Sequence, residues 1–117
     1  MARILLIDDD ANVTALLRSR LEGTGRYEVT VVNRPKEAVA MAVASAPVLI
    51  VCDIDMPGMD GGDVSAALFA DDETRDIPVL FLSQLLSGER EVGGRHAIAK
   101  SAPLAELQAR IEALLKA

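Results

Sequence analysis

The run Val48-Leu49-Ile50-Val51-Cys52 carries apolar side chains on both faces of a pleated strand. A strand with no polar face must be covered on two sides, the condition of a central strand in a parallel sheet. Arg3–Ile7 and Pro78–Leu82 are runs of the same kind, and Ala97–Ala99 is a shorter one. Tyr27–Val32 sets Tyr27, Val29 and Val31 against Glu28, Thr30 and Val32, which also reads as a strand. Segments of helical spacing lie between these runs. Asn12–Glu22 puts Val13, Leu16, Leu17 and Leu21 on one face, and Gly23-Thr24-Gly25 stops it. Pro35 opens a helix through about Ser45, and Asp63–Ala70 is a short helix after the loop Met56–Gly61. Pro103 opens the last helix, with Leu104, Leu107, Ile111, Leu114 and Leu115 on one stripe. Five strands alternating with helices predict an α/β fold, with right-handed crossovers and helices on both faces of a five-stranded parallel sheet.

Composition narrows the classes of function. The 117 residues suit one domain over 1–117, and with 50% hydrophobic residues the chain can bury a core. Aromatics are only 3%, so that core must be built from aliphatic side chains. A net charge of −6 argues against direct nucleic-acid binding, which needs a basic face. The single Cys52, inside an apolar run, reads as a small buried core residue and fits a reducing compartment. No apolar stretch approaches the ~20 residues of a membrane span, and the acid at Asp8 is unlike a signal peptide. The expectation is a cytoplasmic protein without membrane insertion.

The polar residues collect at one place. Asp8 and Asp9 follow the first apolar run and Asp53 follows the third, while Ser83 and Lys100 directly follow two others. In open parallel sheets, ligands bind outside the carboxyl ends of the strands. Three neighbouring carboxylates are unfavourable without a cation or proton, and a hard divalent ion such as Mg²⁺ prefers oxygen donors. Asp8 and Asp9 can hold that ion. Asp53 can complete its coordination and also act as a carboxylate nucleophile toward phosphorus. Lys100 supplies a point charge and the Ser83 hydroxyl a hydrogen bond for phosphoryl oxygens. Asp10, by contrast, reads as a turn former or helix cap, Asp71-Asp72-Glu73 as a solvated run, and His96 as a surface or strand-edge residue.

Ile4-Leu5-Leu6-Ile7-Asp8-Asp9-Asp10, Ile50-Val51-Cys52-Asp53-Ile54-Asp55-Met56-Pro57-Gly58-Met59-Asp60-Gly61, Pro78-Val79-Leu80-Phe81-Leu82-Ser83 and the Lys100 region form a pattern. With these segments the chain resembles, from end to end, the receiver domain of two-component response regulators. The resemblance implies a flavodoxin-like doubly wound sheet of strand order 2-1-3-4-5. It implies that Asp53 is the phosphoacceptor for a histidine kinase or phosphotransfer protein. It also implies that Asp8, Asp9, Asp53 and the backbone carbonyl of Asp55 bind Mg²⁺, with Ser83 as the hydroxyl switch residue and Lys100 as the phosphate-pairing lysine. Such a domain is not an enzyme beyond self-catalysed phosphotransfer and autodephosphorylation. It signals through contact with a downstream protein that the sequence does not name, or through a weak homodimer.

The second half departs from the family pattern. Lys100 follows Ser83 by 17 positions (100 − 83), short of the family's usual spacing by more than one helical turn. A short or irregular fourth helix is therefore expected over Gln84–Val92. Ala97 stands where the family has an aromatic residue that rotates on activation. Ser101 stands where it has a proline, usually after a cis peptide; a non-proline cis bond costs about 2.5–4 kcal/mol, so a trans link and a reshaped loop are expected. These changes support an alternative reading, a pseudo-receiver that binds partners without phosphorylation. A third reading, a small phosphatase resembling the haloacid dehalogenase superfamily, finds nucleophile and acid in Asp53-Ile54-Asp55. That family carries its Asp-x-Asp after the first strand and its paired acids late; here the order is reversed, and the chain has no room for a cap.

Overall fold

A computed structural model describes residues 1–84, 90–92 and 95–116, with side chains described except at 90–92 and 95. In chain order the elements are β1 (Ala2–Ile7), α1 (Ala11–Gly23), β2 (Tyr27–Val32), a 3-10 turn (Pro35–Glu37), α2 (Ala38–Ser45), β3 (Leu49–Asp53) and α3 (Gly61–Ala70). They continue with β4 (Val79–Ser83), β5 (Arg90–Val92), β6 (Arg95–Ala99) and α4 (Leu104–Lys116). The sheet order is β2-β1-β3-β4-β6-β5. All neighbours are parallel except β5 and β6. The five parallel strands thus lie in the expected second-first-third-fourth-fifth order.

The helix expected over Gln84–Val92 falls largely on residues 85–89, which lie outside the described residues. Arg90–Val92 is instead a strand, added antiparallel to the sheet edge.

Strand side chains alternate, so the sheet builds two cores. Ile4, Leu6, Leu49, Val51, Leu80, Leu82 and Ile98 face α1 and α4, where Leu17, Leu21, Leu107 and Ile111 meet them. Leu5, Ile7, Ile50, Cys52, Val79, Phe81 and Ala97 face α2 and α3, against Ala38, Ala42, Val64 and Leu68. Each fully buried Leu or Ile contributes about 1.5–3 kcal/mol of transfer free energy. Both faces of β3 are covered, as its composition requires, and Cys52 is buried. Two positions differ from the sequence reading. Leu16 is 51% exposed and Val48 45%. Leu16 sits one residue off the Leu17–Leu21 stripe of α1 and so turns from the sheet, and Val48 precedes β3 at its open entry.

Helix ends are fixed locally. Asp10 caps α1, its side chain accepting from the amides of Asn12 and Val13. Asp60 caps α3 in a reciprocal box with Asp63. Ala46 ends α2 in the left-handed region, at φ 48°.

Candidate functional site

Parallel register brings the predicted acids together. Ile7 is aligned with Cys52 and Asp53 with Leu82, so the residues that end β1, β3 and β4 share one sheet edge. Asp53 is the last residue of β3, Asp8 follows β1, Ser83 ends β4, and Lys100 follows β6. Asp8, Asp53 and Ser83 are buried, with Asp8 at 0% exposure, whereas Asp9 and Asp55 are exposed. Carboxylate oxygens of Asp8, Asp9 and Asp53 lie within 4.8 Å of one another.

Lys100 binds two of these acids at once. Its Nζ is 2.9 Å from Asp8 Oδ2 and 3.2 Å from Asp53 Oδ2. The Lys100–Ser101 peptide is trans, as expected from the serine. The lysine is nevertheless aimed at the acids, because its own amide donates to the Ser83 carbonyl (2.9 Å), which fixes the stem at the end of β4. Burial alone would lower the Lys100 ammonium, but the Asp8 and Asp53 contacts outweigh it and hold the group above its ordinary value. Burial, and then the charge of Asp8, push the Asp53 carboxyl up against the opposing pull of Lys100. Burial also raises the neighbouring Cys52 thiol, with Asp53 and Asp8 adding to it, so Cys52 stays a protonated core group.

Asp8 has two unlike oxygens. Oδ1 accepts from the Asp10 amide at 2.9 Å. Oδ2 instead faces the Lys100 ammonium at 2.9 Å. Three carboxylates within 4.8 Å, two of them sharing one lysine, keep a net negative charge and all-oxygen donors, a fitting seat for a hard cation. In an octahedral Mg²⁺ shell, donors across the ion are about 4.2 Å apart, close to the spread seen here. The Asp55 amide lies 3.3 Å from Asp53 Oδ1 and turns the chain directly after the nucleophile candidate.

Some features were not evident from the sequence. Gly61 opens α3 so close to β3 that a Cβ would lie 2.7 Å from the Asp53 carbonyl and 2.9 Å from Ile54 Cα. Asn33, after β2, donates from Nδ2 to the Asp8 carbonyl (2.8 Å) and to Thr14 Oγ1 (2.9 Å). His96 is half-buried and meets Arg110 of α4, a partner too distant in sequence to be anticipated. Gln84 is exposed and, with Val13, Leu16, Leu17, Arg20, Lys100 and Ser101, lines a cavity of about 330 Å³ beside the lysine.

The family model for the response regulator receiver domain matches residues 4–112, and the chain belongs to that family. Receiver domains of this family are in general non-enzymatic modules of two-component signalling. The transcriptional regulatory protein PrrA of Mycobacterium tuberculosis is 40% identical over 119 residues, covering 97% of this chain and 50% of PrrA. The chain thus spans about half the length of the first curated relatives it matches. Among solved structures, the receiver domain of a Pseudomonas aeruginosa sensor histidine kinase superposes with a TM-score of 0.86 at 27% identity. That match covers 99% of this chain and 98% of the other, which is described with a magnesium ion coordinated in its active site cleft. The structure of histidine kinase ThkA in complex with the response regulator TrrA gives a TM-score of 0.82 at 28% identity, covering 98% and 99%. Among the described residues no helix is long and apolar enough to cross a membrane.

Proposed function

We propose that this chain is a phosphoacceptor receiver in which Asp53 takes a phosphoryl group from the phosphohistidine of a histidine kinase or phosphotransfer protein. The observation that carries this reading is the buried set at the sheet edge. Lys100 spans Asp8 and Asp53, and Asp9 brings a third carboxylate within 4.8 Å of them. A carboxylate oxygen of Asp53 forms the new bond to phosphorus as the phosphorus–nitrogen bond breaks, and the bonding pair returns to the departing imidazole. Mg²⁺ bound by Asp8, Asp9, Asp53 and the Asp55 carbonyl supplies positive charge at the phosphoryl oxygens. Lys100 can exchange its contact with Asp53 for one with the phosphoryl group, and the Ser83 hydroxyl donates to it. The β3 end and its burial keep the nucleophile fixed and the charges strong.

Several finer readings rest on the same site. The domain works in the cytoplasm as one unit over 1–117, and its output is protein contact. With Ala97 buried against the α2–α3 core in the aromatic position, that output does not pass through aromatic rotation. The test is incubation with acetyl phosphate, and separately with beryllofluoride, each with Mg²⁺. Acetyl phosphate should give an alkali-labile phosphoryl adduct on the wild type and beryllofluoride a non-covalent complex that mimics it, with neither on Asp53→Asn. Equal labelling of the two proteins would overturn the assignment. Unchanged partner binding with and without phosphodonor would favour the pseudo-receiver.

A further inference from the structure

We infer that Asn33 is a positioning residue for the metal seat, bracing the main chain between Asp8 and Asp9. The inference rests on the reading that these two acids hold Mg²⁺. Asp8 is gripped on both sides of its Cα by the end of β2. Its amide donates to the Val32 carbonyl at 3.1 Å, and its carbonyl accepts from Asn33 Nδ2 at 2.8 Å. The peptide unit is planar, so fixing the Asp8 carbonyl also fixes the direction in which the chain leaves for Asp9. The two carboxylates sit on either side of that one peptide. Their relative placement is therefore set by its orientation, and a metal seat is sensitive to such placement.

The residue type matches the task. The Asp8 carbonyl can only accept, so the amide nitrogen rather than the oxygen of Asn33 must face it. The same nitrogen offers a second hydrogen, which goes to Thr14 Oγ1 at 2.9 Å. Thr14 is buried in the first turns of α1, and its hydroxyl donates to the Ala11 carbonyl at 3.1 Å. Asn33 thus ties β2, the β1–α1 connection and α1 through one atom with both hydrogens used. Serine is too short to reach both acceptors, and leucine or aspartate at position 33 would have no donor. Asn33 is exposed, so it adds little to the core, and one of its two contacts is with Asp8 of the site itself.

Calorimetric titration of the full chain with Mg²⁺ tests the proposal, alongside thermal melts in chelator. Asn33→Ala should weaken Mg²⁺ binding about tenfold, the low end for residues that support metal ligands. Thr14→Val removes the other acceptor but leaves the Asp8 contact, so it should lower the melting temperature and keep Mg²⁺ affinity within about twofold of wild type. Asn33→Ser provides the same reading if the alanine variant folds poorly. An Mg²⁺ affinity for both Asn33 variants equal to wild type overturns the brace while leaving the metal seat intact. An equal loss in Thr14→Val and Asn33→Ala overturns it in favour of a general structural role. A wild-type protein that binds no Mg²⁺ overturns both the brace and the seat.

Discussion

Replacing Asp53 by asparagine should stabilise the metal-free protein at neutral pH, although it removes an ion pair. The oxygens of Asp8, Asp9 and Asp53 lie within 4.8 Å. At an effective dielectric of about 20, two unit charges at that separation repel by about 3.5 kcal/mol. On the same scale Lys100, 3.2 Å from Asp53, attracts it by about 5 kcal/mol. The attraction does not prevail, because the carboxylate is also taken out of water. Burial first, then Asp8, leave the Asp53 carboxyl above its ordinary value of 3.8. The folded state therefore holds the Asp53 proton more tightly than the unfolded chain does. That contribution is present below 3.8 and is lost as pH rises through the folded value, so at neutral pH the charged form is a net cost. The asparagine side chain would remove the charge while keeping the shape, so the melting temperature should rise, by about 4 °C for each kcal/mol gained in a chain of this size. Thermal melts in chelator at neutral pH measure it, and the gain should shrink as pH falls toward 3.8. With Mg²⁺ at a hundred times its dissociation constant, the wild type should gain about 2.7 kcal/mol and the variant less. A lower melting temperature for the variant in chelator at neutral pH would refute the reasoning, because lysine pairing would then outweigh burial and repulsion.

Three further outcomes follow from the same structure. Lys100→Met should lower metal-free stability by about 3 kcal/mol in urea unfolding, with Mg²⁺ restoring much of it. In the wild type the Lys100 contribution is present below 10.5 and lost as pH rises through its raised folded value, so a base-induced loss of stability should be missing from the variant. Gly61→Ala should cost about 1–3 kcal/mol despite alanine's better helix propensity, because the added Cβ meets the backbone of Asp53 and Ile54; denaturant midpoints measure this. Ala46→Gly, at an exposed left-handed residue, should raise stability by about 1 kcal/mol, read as a melting-temperature increase; no change would mean that the φ of 48° is unstrained.

Much of the site could be read from the chain because it lies at strand ends. Val48–Cys52 marks a strand covered on both sides, and whatever follows such a strand in a parallel sheet is placed at its carboxyl edge. Asp8, Asp53, Ser83 and Lys100 all satisfy that rule, and the structure brings them to one edge. What could not be read depends on contacts between residues far apart in sequence. Asn33 is 25 residues from Asp8 and Arg110 is 14 from His96, so neither pair leaves a local pattern. The strand at Arg90–Val92 is obscure in the sequence because its backbone pairing, rather than any alternation of side chains, defines it. The pattern misplaces Leu16 because a helical stripe is broad, and only docking decides which edge of it turns outward.

Sequence alone determined the alternation of strands and helices, the acids at the strand ends and a lysine at the end of another strand, because period and position along the chain are local properties. Tertiary structure alone decided that one lysine spans two buried carboxylates and that Asn33 donates to the Asp8 carbonyl. Distances of about 3 Å across three strands are set by packing and register, which no short stretch of sequence encodes.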